Sequence, residues 1–165
     1  MASILGLPLI DKDDILDSLL ESKGSGDEAW RRRLSRESDV LLETAAAQSS
    51  GAVLVSFWRL PSMPPESGTP IDWLLELTGA IVNLRCICSV EVAAARFVKR
   101  KRHPGHLDEC RSYEEIVGSL EALAPLGQLA IGEPIDVDTA AEMDFDALAH
   151  EIRGAFARCL TRRWT

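Results

Sequence analysis

The sequence predicts an α/β domain built on a mainly parallel sheet. Short apolar runs at 7–10, 52–57, 80–88 and 135–137 recur between longer segments of helical character, the alternation that layers helices on a sheet. The run AVLVSF at 52–57 is apolar without alternation, as in a strand covered on both faces. At 165 residues the chain is sized for a single domain with a real core.

Taken in order, ASILG at 2–6 reads as the last turn of a helix closed by its glycine, with the beginning of that helix absent. The 7–10 strand runs into Asp11-Lys12-Asp13-Asp14 and a helix over 13–22. Ligands gather at the C-terminal ends of strands in open α/β sheets. Carboxylates there can bind a cation, accept a proton from a hydroxyl, or cap the helix through its free N–H groups. KGSG at 23–26 is a flexible break. It is no phosphate loop, because G-x-x-x-x-G-K-[ST] needs its Lys and hydroxyl residue at the head of a helix after a buried strand.

Asp27 opens a helix reaching about residue 49, with Trp30, Leu34, Val40, Leu41 and Thr44 on one side and the run Arg31, Arg32, Arg33, Arg36 on solvated faces. Gly51 ends it. After the 52–57 strand, Ser56 can hydrogen-bond a substrate and Trp58 with Arg59 can line a pocket, although Trp58 suits packing equally. Residues 60–70, rich in Pro, Ser and Gly, form a surface loop. A short helix at 71–77 and the 80–88 strand follow. Ser112 and Glu115 make a capping box for a helix over 113–123 with Ile116, Val117, Leu120 and Leu123 inward. Asp138-Thr139 follows the 135–137 strand, and a helix over 145–160 turns Leu148, Ile152, Phe156 and Cys159 or Leu160 to the core.

Charge is distributed unevenly. With 26 acidic against 18 basic residues and a formal charge of -8, the surface as a whole disfavours nucleic acid and anionic membrane as partners. Yet EVAAARFVKRKRHPGHLD at 91–108 gathers cations. A helix over 92–102 would align Arg96, Arg100 and His103 on one face, beside Lys99, Lys101 and Arg102, and Pro104-Gly105 would turn that stripe into a mobile exit. Guanidinium forks match phosphate oxygens. A solvated basic face near a helix C-terminus explains the same residues. No apolar run approaches the roughly 20 residues of a membrane span, and the N-terminus lacks a signal-peptide pattern, so the chain reads as cytoplasmic. The cysteines Cys86, Cys88, Cys110 and Cys159 show no C-x-x-C pair and read as buried thiols, with no metal site.

EVAAARFVKRKRHPGHLDE, followed by RSYEEI, APLGQLAIGEPIDVDT and the closing helix, together with PLIDKDDI near the start, resembles P-loop kinases of the AAA-type, zeta-toxin and chloramphenicol-phosphotransferase-like group. The likeness covers most of the chain. It implies a three-layer domain on a parallel sheet, a lid over residues 96–110 with Arg96, Arg100, Arg102 and His103 at the nucleotide phosphates, and Asp13 first, Asp11 second, as the base at the hydroxyl to be phosphorylated. Arg100 would act in catalysis, Ser56, Trp58 and Arg59 would bind substrate, the 60–70 loop would cover the acceptor site, and ATP with Mg²⁺ would be required. Where that family commonly has a carboxylate after the second strand, this chain has Ser56-Phe57-Trp58-Arg59.

The family's first, central strand and the phosphate loop after it have no counterpart here, so the resemblance implies one truncated domain over 1–165. A start codon placed too far downstream, or a shortened gene, would account for it. Roughly 20 to 30 in-frame upstream codons would then encode the strand and G-x-x-x-x-G-K-[ST]. Two functions follow as expectations. One is an impaired ATP-dependent phosphotransferase acting on a small hydroxyl compound; the other is a non-catalytic binding or interaction protein that pairs an exposed strand edge with a partner or a second copy.

Overall fold

The computed structural model describes residues 1–77 and 79–162. Its elements in order are α1 (Ala2–Leu5), β1 (Leu9–Asp11), α2 (Lys12–Lys23), α3 (Glu28–Gln48), β2 (Val53–Val55), α4 (Asp72–Glu76), β3 (Val82–Ile87), α5 (Val90–Lys99), α6 (Tyr113–Glu121), β4 (Glu133–Asp138) and α7 (Phe145–Arg162). Short 3-10 turns lie at Pro104–His106, Asp108–Cys110 and Ala124–Leu126.

The strands form two small parallel sheets. β1 pairs with β2 in the register Leu9↔Val53, Ile10↔Leu54, Asp11↔Val55, and β3 pairs with β4 from Val82↔Glu133 to Ile87↔Asp138. Among the described residues β2 and β3 are not hydrogen-bonded to each other. Two apolar clusters form, one between α2 and α3 and one between the β3–β4 sheet and α7. Leu16, Leu19 and Leu20 of α2 pack with Leu34 of α3, while Ile135 and Val137 of β4 meet Ile152 and Ala155 of α7, with Met1 and Leu5 of α1 added. Gly6, at φ 68, closes α1 as the sequence leads one to expect.

Several expectations need correction. α3 buries Leu34, Ser38, Asp39, Leu42 and Ala46, whereas Val40 and Leu41 are exposed. Positions 34, 38, 42 and 46 follow a strict four-residue step that admits polar Ser38, so a count of apolar residues points to the wrong stripe. On α7 the buried residues include Ala149, Ile152 and Ala155, while Phe156 and Leu160 face outward. Small side chains let the helix approach the sheet closely. Cys86 and Cys110 are exposed, and Cys88 and Cys159 half-buried, instead of buried. Val82 and Leu84 pack under the α7 cluster, and β3 becomes exposed at Cys86 and Ile87, beyond that cover.

Candidate functional site

The C-terminal ends of β1 and β2 lie side by side because Asp11 is in register with Val55. Asp11 accepts a hydrogen bond from the Asp13 backbone N–H at 2.9 Å and so caps α2. Burial pushes its carboxyl above the ordinary value, opposed by that N–H bond and supported by the neighbouring charges of Asp14 and Asp13. Asp13 has its carboxylate outside the cap, paired with the Arg102 guanidinium.

Between them, Lys12 turns inward. Its ammonium pairs with Asp39 of α3 and donates to Thr69 Oγ1 at 3.0 Å. Burial lowers its pKa, and the hydrogen bond it donates to Asp39 works against that shift. Thr69 donates to Asp39 Oδ1 at 2.8 Å, and Ser56 Oγ lies 2.6 Å from Thr69 Oγ1. Arg36 completes the group, giving bonds to Asp39 Oδ2 at 3.0 Å, Gly68 O at 3.2 Å and Glu66 O at 2.7 Å. α3 therefore fastens the 60–70 loop beside the strand ends. Lys12, Asp39, Thr69 and Arg36 escaped the sequence reading. A lysine flanked by carboxylates looks solvated in sequence, and the available signal was Asp39 beside the Leu34–Ser38–Leu42 stripe.

Ser56 sits at this junction, half-buried. Arg59 instead spends Nε on Ser67 O at 2.9 Å, within the loop. The Trp58 and Trp73 rings stand 6.2 Å apart at 53°, and Trp73 donates to Pro70 O at 3.0 Å. Trp58 thus has a packing partner.

The lid departs from the continuous cationic helix. α5 ends at Lys99, and Arg100 is already extended, with φ -68 and ψ 144, so Arg96, Arg100 and His103 do not share one helical face. His103, the residue before Pro104, is likewise outside the helical region, at φ -55 and ψ 134. Arg100 reaches Asp108 at 3.1 Å with its guanidinium 3.7 Å from the Phe97 ring centre; burial, then Arg102, lowers its pKa. Arg102 donates to both Asp108 oxygens, at 2.9 Å and 3.2 Å, and also pairs with Asp13. Arg96 lies apart, bonded to Thr139 Oγ1 at 3.0 Å and Thr139 O at 2.6 Å. His103 Nδ1 accepts from Gly105 N at 3.1 Å, capping its own turn. The expected mobile exit is docked on α2: Gly105 and His106 are buried, and His106 Nε2 meets Asp17 Oδ1 at 2.6 Å.

Asp13, Arg100, Arg102 and Asp108 thus converge on one place, with Asp11 and Ser56 at the adjoining strand ends. Such a set can hold an anion on the guanidiniums and take a proton at Asp13. Among the described residues no group of three or more His, Cys, Asp or Glu side chains is placed to hold a metal ion. Among the described residues no helix is long and apolar enough to cross a membrane.

No family model matches the chain, and no curated protein matches it in sequence. A solved structure described as a "putative kinase" from Chloroflexus aurantiacus J-10-fl is similar to it with a TM-score of 0.71 and 23% identity, over 93% of this chain and 86% of that one. At that identity the likeness shows a shared fold, the α/β fold of that protein.

Proposed function

We propose that the chain is a kinase-like domain that holds the phosphates of ATP on Arg100 and Arg102 and a small-molecule hydroxyl at Asp13. The observation that carries this reading is the meeting of Arg102 with Asp13 across 89 residues of sequence, with Arg100 and Asp108 joined to the same cluster. Carboxylate oxygens of Asp108 and Asp13 stand where phosphate oxygens would sit, and a phosphate can take over the same forked donors. Displacing Arg102 from Asp13 leaves that carboxylate to accept the substrate's hydroxyl proton as its oxygen attacks the terminal phosphorus and ADP departs. The fold shared with the Chloroflexus protein supports the reading. Arg96 and His103, held by Thr139 and Gly105, take no phosphate in it.

No G-x-x-x-x-G-K-[ST] occurs in the 165 residues, so the loop that gives most backbone donors to a nucleotide is absent from this sequence. A few arginines must then offset the freedom ATP loses on binding, which places the dissociation constant at about millimolar or weaker. Titration calorimetry with ATP and Mg²⁺ tests both statements. Joint Arg100→Glu and Arg102→Glu changes should abolish the heat of binding, while Arg32→Glu, at an exposed pair with Glu28, should leave it nearly unchanged. Equal losses would refute the lid assignment, and micromolar binding would refute the affinity argument.

A second reading, a non-catalytic protein that pairs strand edges between two copies, is favoured by one observation. Val55, Phe57 and Ile87, on or next to strands in separate sheets, are exposed.

A further inference from the structure

We infer that Ser56 presents only lone pairs to the acceptor site, so this position selects a substrate group that donates a hydrogen bond, a free hydroxyl, over its ketone or ether counterpart. The inference deepens the reading above and rests on it for where substrate lies. A hydroxyl owns one proton and two lone pairs. Thr69 Oγ1 has three polar neighbours: Lys12 Nζ at 3.0 Å, Asp39 Oδ1 at 2.8 Å and Ser56 Oγ at 2.6 Å. An ammonium can only donate and a carboxylate can only accept. Asp39 faces Lys12 on one oxygen and Arg36 on the other.

Thr69 must therefore give its proton to Asp39 and one lone pair to Lys12. One lone pair remains, and Ser56 must donate to it. The opposite polarity would set the lone pairs of Thr69 and Asp39 against each other at a residue with 0% exposure, where an unmade hydrogen bond is costly. Ser56 has then committed its proton inward. Its oxygen, half-buried at the end of β2, can accept from a ligand and has nothing to donate. A ligand that offers a second lone pair there leaves both groups unsatisfied, a loss of about ten- to a hundredfold in affinity.

Crystals of the 165-residue protein soaked in 2-propanol, whose oxygen donates and accepts, and in acetone, whose oxygen only accepts, read this polarity directly. 2-Propanol should seat its oxygen within hydrogen-bond distance of Ser56 Oγ, and acetone should not. Thr69→Val withdraws the acceptor for Ser56's proton and should admit acetone; Thr69→Ser should restore the parent preference. Acetone on Ser56 in the parent, neither probe there, or an unaltered preference in Thr69→Val would overturn the inference. Should Thr69→Val fail to fold, neutron diffraction of the parent decides, since a Ser56 deuteron on the line to Thr69 supports the assignment and one directed away from it refutes it. Neither probe involves a nucleotide, so a failure of ATP binding leaves the result standing, and acetone at Ser56 leaves Arg100 and Arg102 untouched.

Discussion

Asp11 and Asp13 are two residues apart and occupy different electrostatic settings. Asp11 caps α2 and is held in a partly desolvated place beside Asp13 and Asp14; Asp13 faces Arg102. Because folding raises the Asp11 pKa, the native state binds its proton more tightly than the unfolded chain. Its contribution therefore favours folding at acid pH and is lost as pH rises from about 3.8 through the higher folded value. Asn is an equally good cap. Asp11→Asn should stabilise the protein at neutral pH by less than about 1 kcal/mol, solvent screening being appreciable at this half-exposed site. Urea unfolding should show that gain shrinking as pH falls toward the unfolded carboxylate value; a gain that grows toward acid would contradict the burial argument. At this scale the sequence was half legible. The cap was one of three readings open for the carboxylates, but Lys12 could not be placed inside, because its partners Asp39 and Thr69 come from distant segments.

The lid belongs to the scale of elements. Its sequence announced a break at Pro104-Gly105, but docking depends on which surface meets the turn. A Cβ on Gly105 would lie 2.6 Å from Leu20 Cδ2 and 2.9 Å from Leu20 Cδ1, and Leu20, 1% exposed, belongs to the α2–α3 cluster. Gly105→Ala should therefore lift the turn from α2 at a cost of about 1 to 3 kcal/mol, the usual range for overpacking. Trypsin should then cut faster between Lys99 and Arg102, and Leu20→Val in the same chain should slow cutting again by returning room. An unchanged digestion rate would mean that the turn is not held by this contact. Helix bounds were legible to within a few residues elsewhere, since caps such as Ser112 with Glu115 are local. Faces were less so: Leu42 and Leu41 are adjacent and equally apolar, and only tertiary packing buries one of them.

At the scale of the molecule, parallel pairing was legible and the neighbours of each strand were not. An apolar run such as 52–57 says that a strand is to be covered, never by what. In the fold β2 hydrogen-bonds β1 and β3 hydrogen-bonds β4, leaving one side of β2 and one of β3 without a strand partner among the described residues. Phe57, just past β2, is 57% exposed, and Ile87 at the end of β3 is 47% exposed. Open apolar edges are templates for another chain. Opposing them is a formal charge of -8, which keeps copies apart until salt screens it over about 10 Å. Light scattering should therefore show association that rises with both concentration and salt. Hydrogen exchange should show amides of Val53–Val55 and Val82–Ile87 becoming protected in step with it. Phe57→Lys places a charge beside the β2 edge and should suppress both effects while leaving the calorimetric signal of the lid arginines as it was. A monomer at every concentration and salt, with those amides already protected, would eliminate pairing through the edges and leave the phosphate-binding reading to stand alone.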